Sequence, residues 1–412
     1  MVTRSTSDFK GSTRLSSSTS EPTSGDLFDG IYGDAAVDAA TSDQAWVQAM
    51  LDVEAALAFA AARVGLIPVA AASAISEVCR VELIDLAEIG RGAVADVTPV
   101  PTLVRSLRHL VPERARPWVH FGATSQDVLD SAMSLVSKRA VEHIATSTEG
   151  VAGALATLAV RHRETRQVGR TLLQQAAVTT YGAVCAGRLV ALDDALQGVE
   201  LVCRDQLAAQ LGGAVGTLAE AGESAFGFVT EFALLLDLPE PVVPWHTSRG
   251  RVASMAAALG VLAGELAAVS QDLVLLSANE VGEVSLAAPG GSSAMAHKRN
   301  PAAAVLAVAC AHRVPGLVAT VFAGMPQELQ RSAGRWQAEW GTIRDELRLV
   351  GGTARHTFEA VQGLHVHDDA MAKHVAELLA VTGGSADDVG SASAFVDRAL
   401  AAHELRLASR SG

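Results

Sequence analysis

Apolar residues recur at helical spacing over 43–64, where Trp46, Met50, Val53, Leu57 and Ala61 share one face and Gly65 and Pro68 end the run. The pattern predicts an amphipathic helix. The stretch 126–165 has no proline, and 175–210 and 247–285 are likewise long, Ala-rich and nearly free of breakers. Helices of about 30 residues pack best side by side, so the predicted fold class is all-α, with a long central helical bundle. The expected organisation is a disordered tail over 1–25, an N-terminal helical domain over 26–110, the bundle over 111–365 and a reduced C-terminal segment over 366–412. That last segment is broken at Thr382-Gly383-Gly384, ends in one helix near 391–407, and is too small to fold alone.

Three polar, Gly-bearing junctions interrupt the apolar pattern: HFGATSQDVLD at 120–130, GRTLLQQA at 169–176 and PGGSSAMAHKRNP at 289–301. Chemistry is expected there, because connecting segments carry exposed functional groups on a rigid scaffold. In the third, Gly290 and Gly291 give backbone freedom and two serines follow. Asn300-Pro301 then marks a helix start. Such a loop can swing over a substrate while a serine, Lys298 and the helix N-terminus converge on an anion. The alternative is a Ser/Gly-rich connector that only caps a helix. In the first junction Thr124 reads as an N-cap with Asp127 three residues on, and capping alone would also explain that pair.

Composition sharpens this picture. Of the 412 residues 49% are hydrophobic but only 4% aromatic, so Ala, Leu and Val must fill the core, as close-packed helices allow. A net charge of −13 argues against nucleic-acid binding, and an anionic substrate would need a local basic pocket. Cys79, Cys185, Cys203 and Cys310 lie far apart, without metal-ligand spacing, and read as reduced cytoplasmic thiols. Apolar stretches such as 252–264 are broken by charge before the roughly 20 residues of a membrane span, so none is expected. The tail is Ser/Thr-rich with Arg4, Lys10 and Arg14 but no apolar core, unlike a secretory signal.

The run GSSAMAHKRNP resembles the GSSxMPxKxNP signature loop of the fumarase/aspartase superfamily, departing at Ala296, where that family has proline. The resemblance implies that Ser292 is the carbon-acid base, that Lys298 and Asn300 are catalytic, and that Ser293 and Met295 bind substrate. HFGATSQDVLDSA resembles the first signature region of the family. It implies substrate-binding roles for His120, Thr124 and Ser125, supported by Asp127, though His120 also reads as a core histidine. Gly169-Arg170-Thr171 resembles the second region, GRTH, which implies binding roles for Arg170, Thr171 and Gln174. Leu172 stands where most of these lyases have a histidine, an absence shared by the cycloisomerase branch. QLGGAVGTLA at 210–219 and PWHTSRGR at 244–251 resemble later family segments. MPQELQRSAGRWQAEW at 325–340 is similar to the cycloisomerase branch, making Arg331 a carboxylate clamp, or else a surface ion pair.

Leu172 has a chemical meaning. Lyases that expel an amine or hydroxide need an acid for the leaving group, whereas a carboxylate departs unprotonated. The resemblance therefore implies an intramolecular lyase that interconverts 3-carboxy-cis,cis-muconate and 4-carboxymuconolactone in protocatechuate breakdown. It further implies a homotetramer with shared active sites, no metal and no organic cofactor. The likeness spans about 26–365 and resumes near 391–407, with most of the usual C-terminal domain absent. Two alternatives remain at this point: an adenylosuccinate lyase-like C–N lyase, which shares HKRNP, and a non-catalytic structural or binding homologue.

Overall fold

The computed structural model describes residues 27–291, 295 and 298–410. The N-terminal tail and the loop residues Ser292, Ser293 and Ala296 lie outside the described residues. The chain opens with α1 (Asp29–Tyr32), α2 (Ala35–Ala40), α3 (Asp43–Arg63), α4 (Val69–Val78), α5 (Leu86–Asp96) and α6 (Val100–Leu110). All five residues of the expected apolar face of α3 are buried, and Gly65 ends the run with φ +79°.

The long helix α7 (Ser125–Arg161) begins at the N-cap Thr124. Its 37 residues span roughly 55 Å at 1.5 Å per residue. It packs with α8 (Tyr181–Asp205), α10 (Gly250–Leu276), α11 (Ala302–Gly324) and α12 (Arg335–Val361) as the central bundle, while the shorter α9 (Ala225–Leu236) lies on α3. Among the described residues the main apolar core runs from Val37 to Ala399 and is made largely of Ala, Val and Leu, with a small second cluster of Val168, Val375 and Leu378, so the expected all-α bundle is present.

Two strand pairs depart from an all-helical reading. β1 (Arg166–Thr171) and β2 (Gln174–Thr180) form an antiparallel hairpin where the sequence reading placed a junction and the start of a helix at 175. The β-branched run Val178-Thr179-Thr180 favours an extended backbone, and α8 starts only at Tyr181. Likewise β3 (Val284–Ser285) pairs with β4 (His365–Val366), and α10 stops at Leu276 rather than reaching 285.

The C-terminal segment also holds more than the expected single helix. α13 (Asp368–Thr382) precedes α14 (Ala392–Arg410). Asp368 and Asp369 in the first turn and left-handed Gly383 at the C-cap mark its ends. α13 lies on β1 and α14 on α8.

The reading of the apolar stretches as too short for a membrane is overturned by α3, α10 and α11. All three are long and apolar enough to cross one, because alanine sustains the hydropathy between scattered charges. Within the apolar window of α11 only 28% is buried, against 67% for α3.

Candidate functional site

At the N-terminus of α7 the first junction forms a tight polar cluster. The carboxylate of Asp127 accepts the backbone N–H of Thr124 at 3.0 Å, closing the expected cap, and those of Gly212 at 3.0 Å and Gly213 at 2.8 Å. It also lies 2.6 Å from His246 Nε2. Glycine is required at 212 by close approach, since a Cβ there would sit 2.7 Å from Pro244 Cβ and 2.9 Å from His246 Cε1. Thr124 and Ser125 are half-buried beside this hub. His120, in the left-handed region at φ +65°, places Nδ1 2.6 Å from the fully buried Glu54. Burial disfavours the imidazolium, but the charge and hydrogen bond of Glu54, with Asp127 adding, raise the His120 pKa overall.

Behind the cluster lies a buried ion network. The Arg249 guanidinium bonds Asp130 at 2.7 and 3.1 Å and Glu339 at 2.5 to 3.1 Å. Trp336 Nε1 donates to Asp130 at 2.9 Å, and Trp340 stacks edge-on against Trp336. Burial opposes the Arg249 charge, yet its two carboxylates raise its pKa overall. Arg331 joins the first junction, donating to Gln126 Oε1 at 2.8 Å and to the Ala214 carbonyl at 2.7 Å. Among the described residues its partners are a neutral amide and backbone carbonyls, with no bonded carboxylate to cancel the guanidinium charge. Partial burial lowers its pKa, with Asp127 and Asp130 opposing.

The second junction is the hairpin tip. Leu172 and Leu173 form its two-residue turn with φ +51° and +63°, and they are 96% and 70% exposed. The left-handed backbone costs a Cβ-bearing residue about 1–2 kcal/mol, and exposed leucines there are unusual for a free hairpin. Thr171 and Gln174 flank the turn as its last strand pair and are exposed. Arg170 is half-buried and paired with Glu283, Nη2 to Oε1 at 2.6 Å.

The third junction closes on itself. Gly290 and Asn300 exchange backbone hydrogen bonds at 2.9 and 3.0 Å, and Asn300 Nδ2 donates to the Gly291 carbonyl at 3.0 Å. α11 starts one residue after Pro301, so Asn300 braces the loop base instead of capping the helix. Beside this base lies a cavity of about 560 Å³ lined by Met295, Lys298, Arg299, Asn300, His365 and His367, with Ser277, Asn279 and the β3 residues. Among the described residues no Asp or Glu lines it. In a chain of net charge −13 this places Lys298 and Arg299 together beside one cavity, the local basic lining that an anionic ligand would need. Among the described residues no group of three or more His, Cys, Asp or Glu side chains is placed to hold a metal ion.

Thus the chain gathers His120, Thr124, Ser125 and Arg331 at one place, Met295, Lys298 and Asn300 at a second, and Arg170, Thr171 and Gln174 at a third. The sequence reading passed over Glu54, His246, Arg249, Glu283 and His374. For Glu54 a signal existed, since it stands on the buried Met50–Leu57 face of α3. His374 belongs to no motif.

The family model described as Lyase matches residues 32–316. A 3-carboxy-cis,cis-muconate cycloisomerase of Pseudomonas aeruginosa is 41% identical over 85% of this chain and 77% of its own length. A nitrosuccinate lyase of Streptomyces davaonensis is 39% identical over 84% of this chain and 75% of its own. The crystal structure of the 3-carboxy-cis,cis-muconate lactonizing enzyme from Pseudomonas putida superposes with TM-score 0.87 at 33% identity, covering 92% of this chain and 99% of that one. With the signature segments placed at three junctions of an all-α bundle, these likenesses show that the chain belongs to the fumarase/aspartase superfamily of lyases.

Proposed function

We propose that the chain interconverts 3-carboxy-cis,cis-muconate and 4-carboxymuconolactone, a step of protocatechuate breakdown, in the cytoplasm and without metal or organic cofactor. The observation that carries this reading is the cavity at the signature loop, which puts Lys298, Arg299 and two histidines, and no Asp or Glu among the described residues, beside one volume fit for a polyanion. The relatives named for this reaction support it.

In the lactone-opening direction Ser292, as alkoxide, removes the proton α to a carboxylate. The electron pair passes into that carboxylate as a dianionic aci-carboxylate, which Lys298 stabilises together with Arg331 of a neighbouring copy of the chain. Collapse of the intermediate breaks the lactone C–O bond, and the ring oxygen leaves as a carboxylate. Lactone closure is the reverse, with Ser292 returning the proton to carbon. A carboxylate leaves without a proton donor, which is compatible with Leu172 in place of the histidine.

A homotetramer with shared sites belongs to the same reading. The exposed Leu172-Leu173 turn and the mostly uncovered apolar window of α11 support coverage by further copies of the chain.

The nitrosuccinate lyase relative favours a second reading, a C–N elimination. Nitrite is also a weak base that departs unprotonated, so Leu172 does not separate the two. Incubating purified protein with 3-carboxymuconate, nitrosuccinate and adenylosuccinate does. Loss of diene absorbance with the first alone is the expected result. Efficient fumarate release from either of the others, with the muconate untouched, overturns the cycloisomerase reading and leaves the superfamily standing.

A further inference from the structure

The carboxylate of Glu283 is fully buried and takes hydrogen bonds from two other elements of the fold. From β1, Arg170 donates Nη2 to Oε1 at 2.6 Å and Nη1 to Oε2 at 3.2 Å, and Gln167 Nε2 donates to Oε2 at 2.8 Å. From α13, His374 Nδ1 lies 2.7 Å from Oε1, and because an ionised carboxylate only accepts, that nitrogen carries the proton. The Glu283 backbone is held as well. Its N–H donates to the Leu276 carbonyl at the end of α10, and its carbonyl accepts from His367 N–H, both at 2.9 Å. Burial alone would push the carboxyl up, but the hydrogen bonds from Arg170, Gln167 and His374 hold it below the usual range.

What this clamp joins is more telling than its strength. On one side is the hairpin that ends in Thr171 and Gln174. On the other, the residues flanking Glu283, Gly282 and Val284, line the cavity that holds Lys298 and Asn300. The third contact comes from α13, in the short C-terminal segment beyond the family match. A buried carboxylate with all of these donors is an over-determined anchor, and removing one donor shifts what it anchors before it unfolds anything.

We propose that Glu283 and His374 are positioning residues of the reaction, fixing the substrate-binding hairpin and the wall of the loop cavity on the bundle, so that the C-terminal segment takes part in assembling the active site. The kinetic arm of the test rests on the lactonisation reading; the exchange arm does not.

The test compares His374→Ala with His374→Asn, which restores an N–H donor near the position of Nδ1, and with Glu283→Gln. Misplacing a binding group by about 1 Å can cost up to about a hundredfold in rate. His374→Ala and Glu283→Gln are therefore expected to lower kcat on 3-carboxymuconate at least about tenfold while KM moves less than about threefold, and His374→Asn to recover most of the loss. By hydrogen exchange, His374→Ala should speed exchange over 166–180 and 283–290 while α7 and α12 stay protected, and His374→Asn should restore protection. Unchanged kcat in His374→Ala, or equal losses in the Ala and Asn variants, overturns the proposal. Should the wild type turn over none of the carboxylates, the lactonisation reading fails by itself. Exchange then decides this inference alone, with unchanged hairpin protection in His374→Ala overturning it and selective loss supporting it.

Discussion

The carboxylate of Asp127 and the imidazole of His246 lie 2.6 Å apart although 119 residues separate them along the chain. The contact pins the PWHTSRGR segment to the start of α7, and the Gly212 and Gly213 N–H groups bring QLGG to the same carboxylate. Ser131 and Ser134 fasten that second segment further along α7, donating to the Gln210 and Ala208 carbonyls at 3.1 Å each. The supporting role that the resemblance gave Asp127 is therefore an architectural one in this fold.

Removing that hub should be costly. Asp127→Ala leaves several buried donors without an acceptor, and breaking a buried hydrogen-bonded charge costs about 3–5 kcal/mol. Urea denaturation should show a loss of that order. A loss below about 1 kcal/mol would mean that water replaces the carboxylate and that Asp127 is not the hub described.

The signature loop makes the opposite prediction. Lys298 is exposed and fills no core, so Lys298→Ala should leave the thermal midpoint near wild type. Turnover should drop by roughly a hundredfold, as removal of one group stabilising an oxyanion costs about 3 kcal/mol. Ser292→Ala should abolish turnover altogether. Steady-state rates beside melting curves check both, and a fall of less than about tenfold for Lys298→Ala removes it from charge stabilisation.

What was legible in the sequence followed from local rules. The face of α3, the cap at Thr124 and the Pro-free stretch of α7 depend on residues a few positions apart, and all three appear in the fold. The hairpin did not announce itself, because Leu172-Leu173 is not a turn pair that tolerates left-handed backbone, so the strained turn was invisible to turn chemistry. α13 was concealed by the Thr382-Gly383-Gly384 break, which is its own C-cap. The long-range partners, Glu54 with His120 and Glu283 with His374, are 66 and 91 residues apart and obey no spacing rule. The motif residues were named from the loop and junction sequences, but what holds them was not.

The strained hairpin tip carries a prediction about assembly. If Leu172 and Leu173 are held in the left-handed region by contact with another copy, replacing them with Asn and Gly should relax the free hairpin by about 1–2 kcal/mol while weakening the oligomer. Sedimentation or light scattering at falling concentration reads the second effect. Mixing an inactive Ser292→Ala protein with an inactive Thr171→Ala protein should in addition restore partial activity through hybrid assemblies. No recovery after verified subunit exchange argues against shared sites.

Glu346 makes the last prediction, which concerns pH. It stands on α12 fully buried, and among the described residues neither carboxylate oxygen has a hydrogen-bond partner. Burial alone pushes its carboxyl from 4.5 up to about 9, so at neutral pH the group is protonated in the folded chain. The sign follows from linkage. Below the unfolded value both states hold the proton, and the group costs nothing that depends on pH. Between the two values the unfolded chain releases the proton while the folded chain keeps it, so stability falls as pH rises, by up to about 1.4 kcal/mol per pH unit. Glu346→Gln cannot ionise in either state and removes this term. Urea unfolding at about pH 5 and about pH 8 should show a decline in the wild type that is flattened in Glu346→Gln, with the variant the more stable protein at the higher pH. Parallel pH profiles for the two proteins would mean that Glu346 is ionised in the fold and paired with a cation or water.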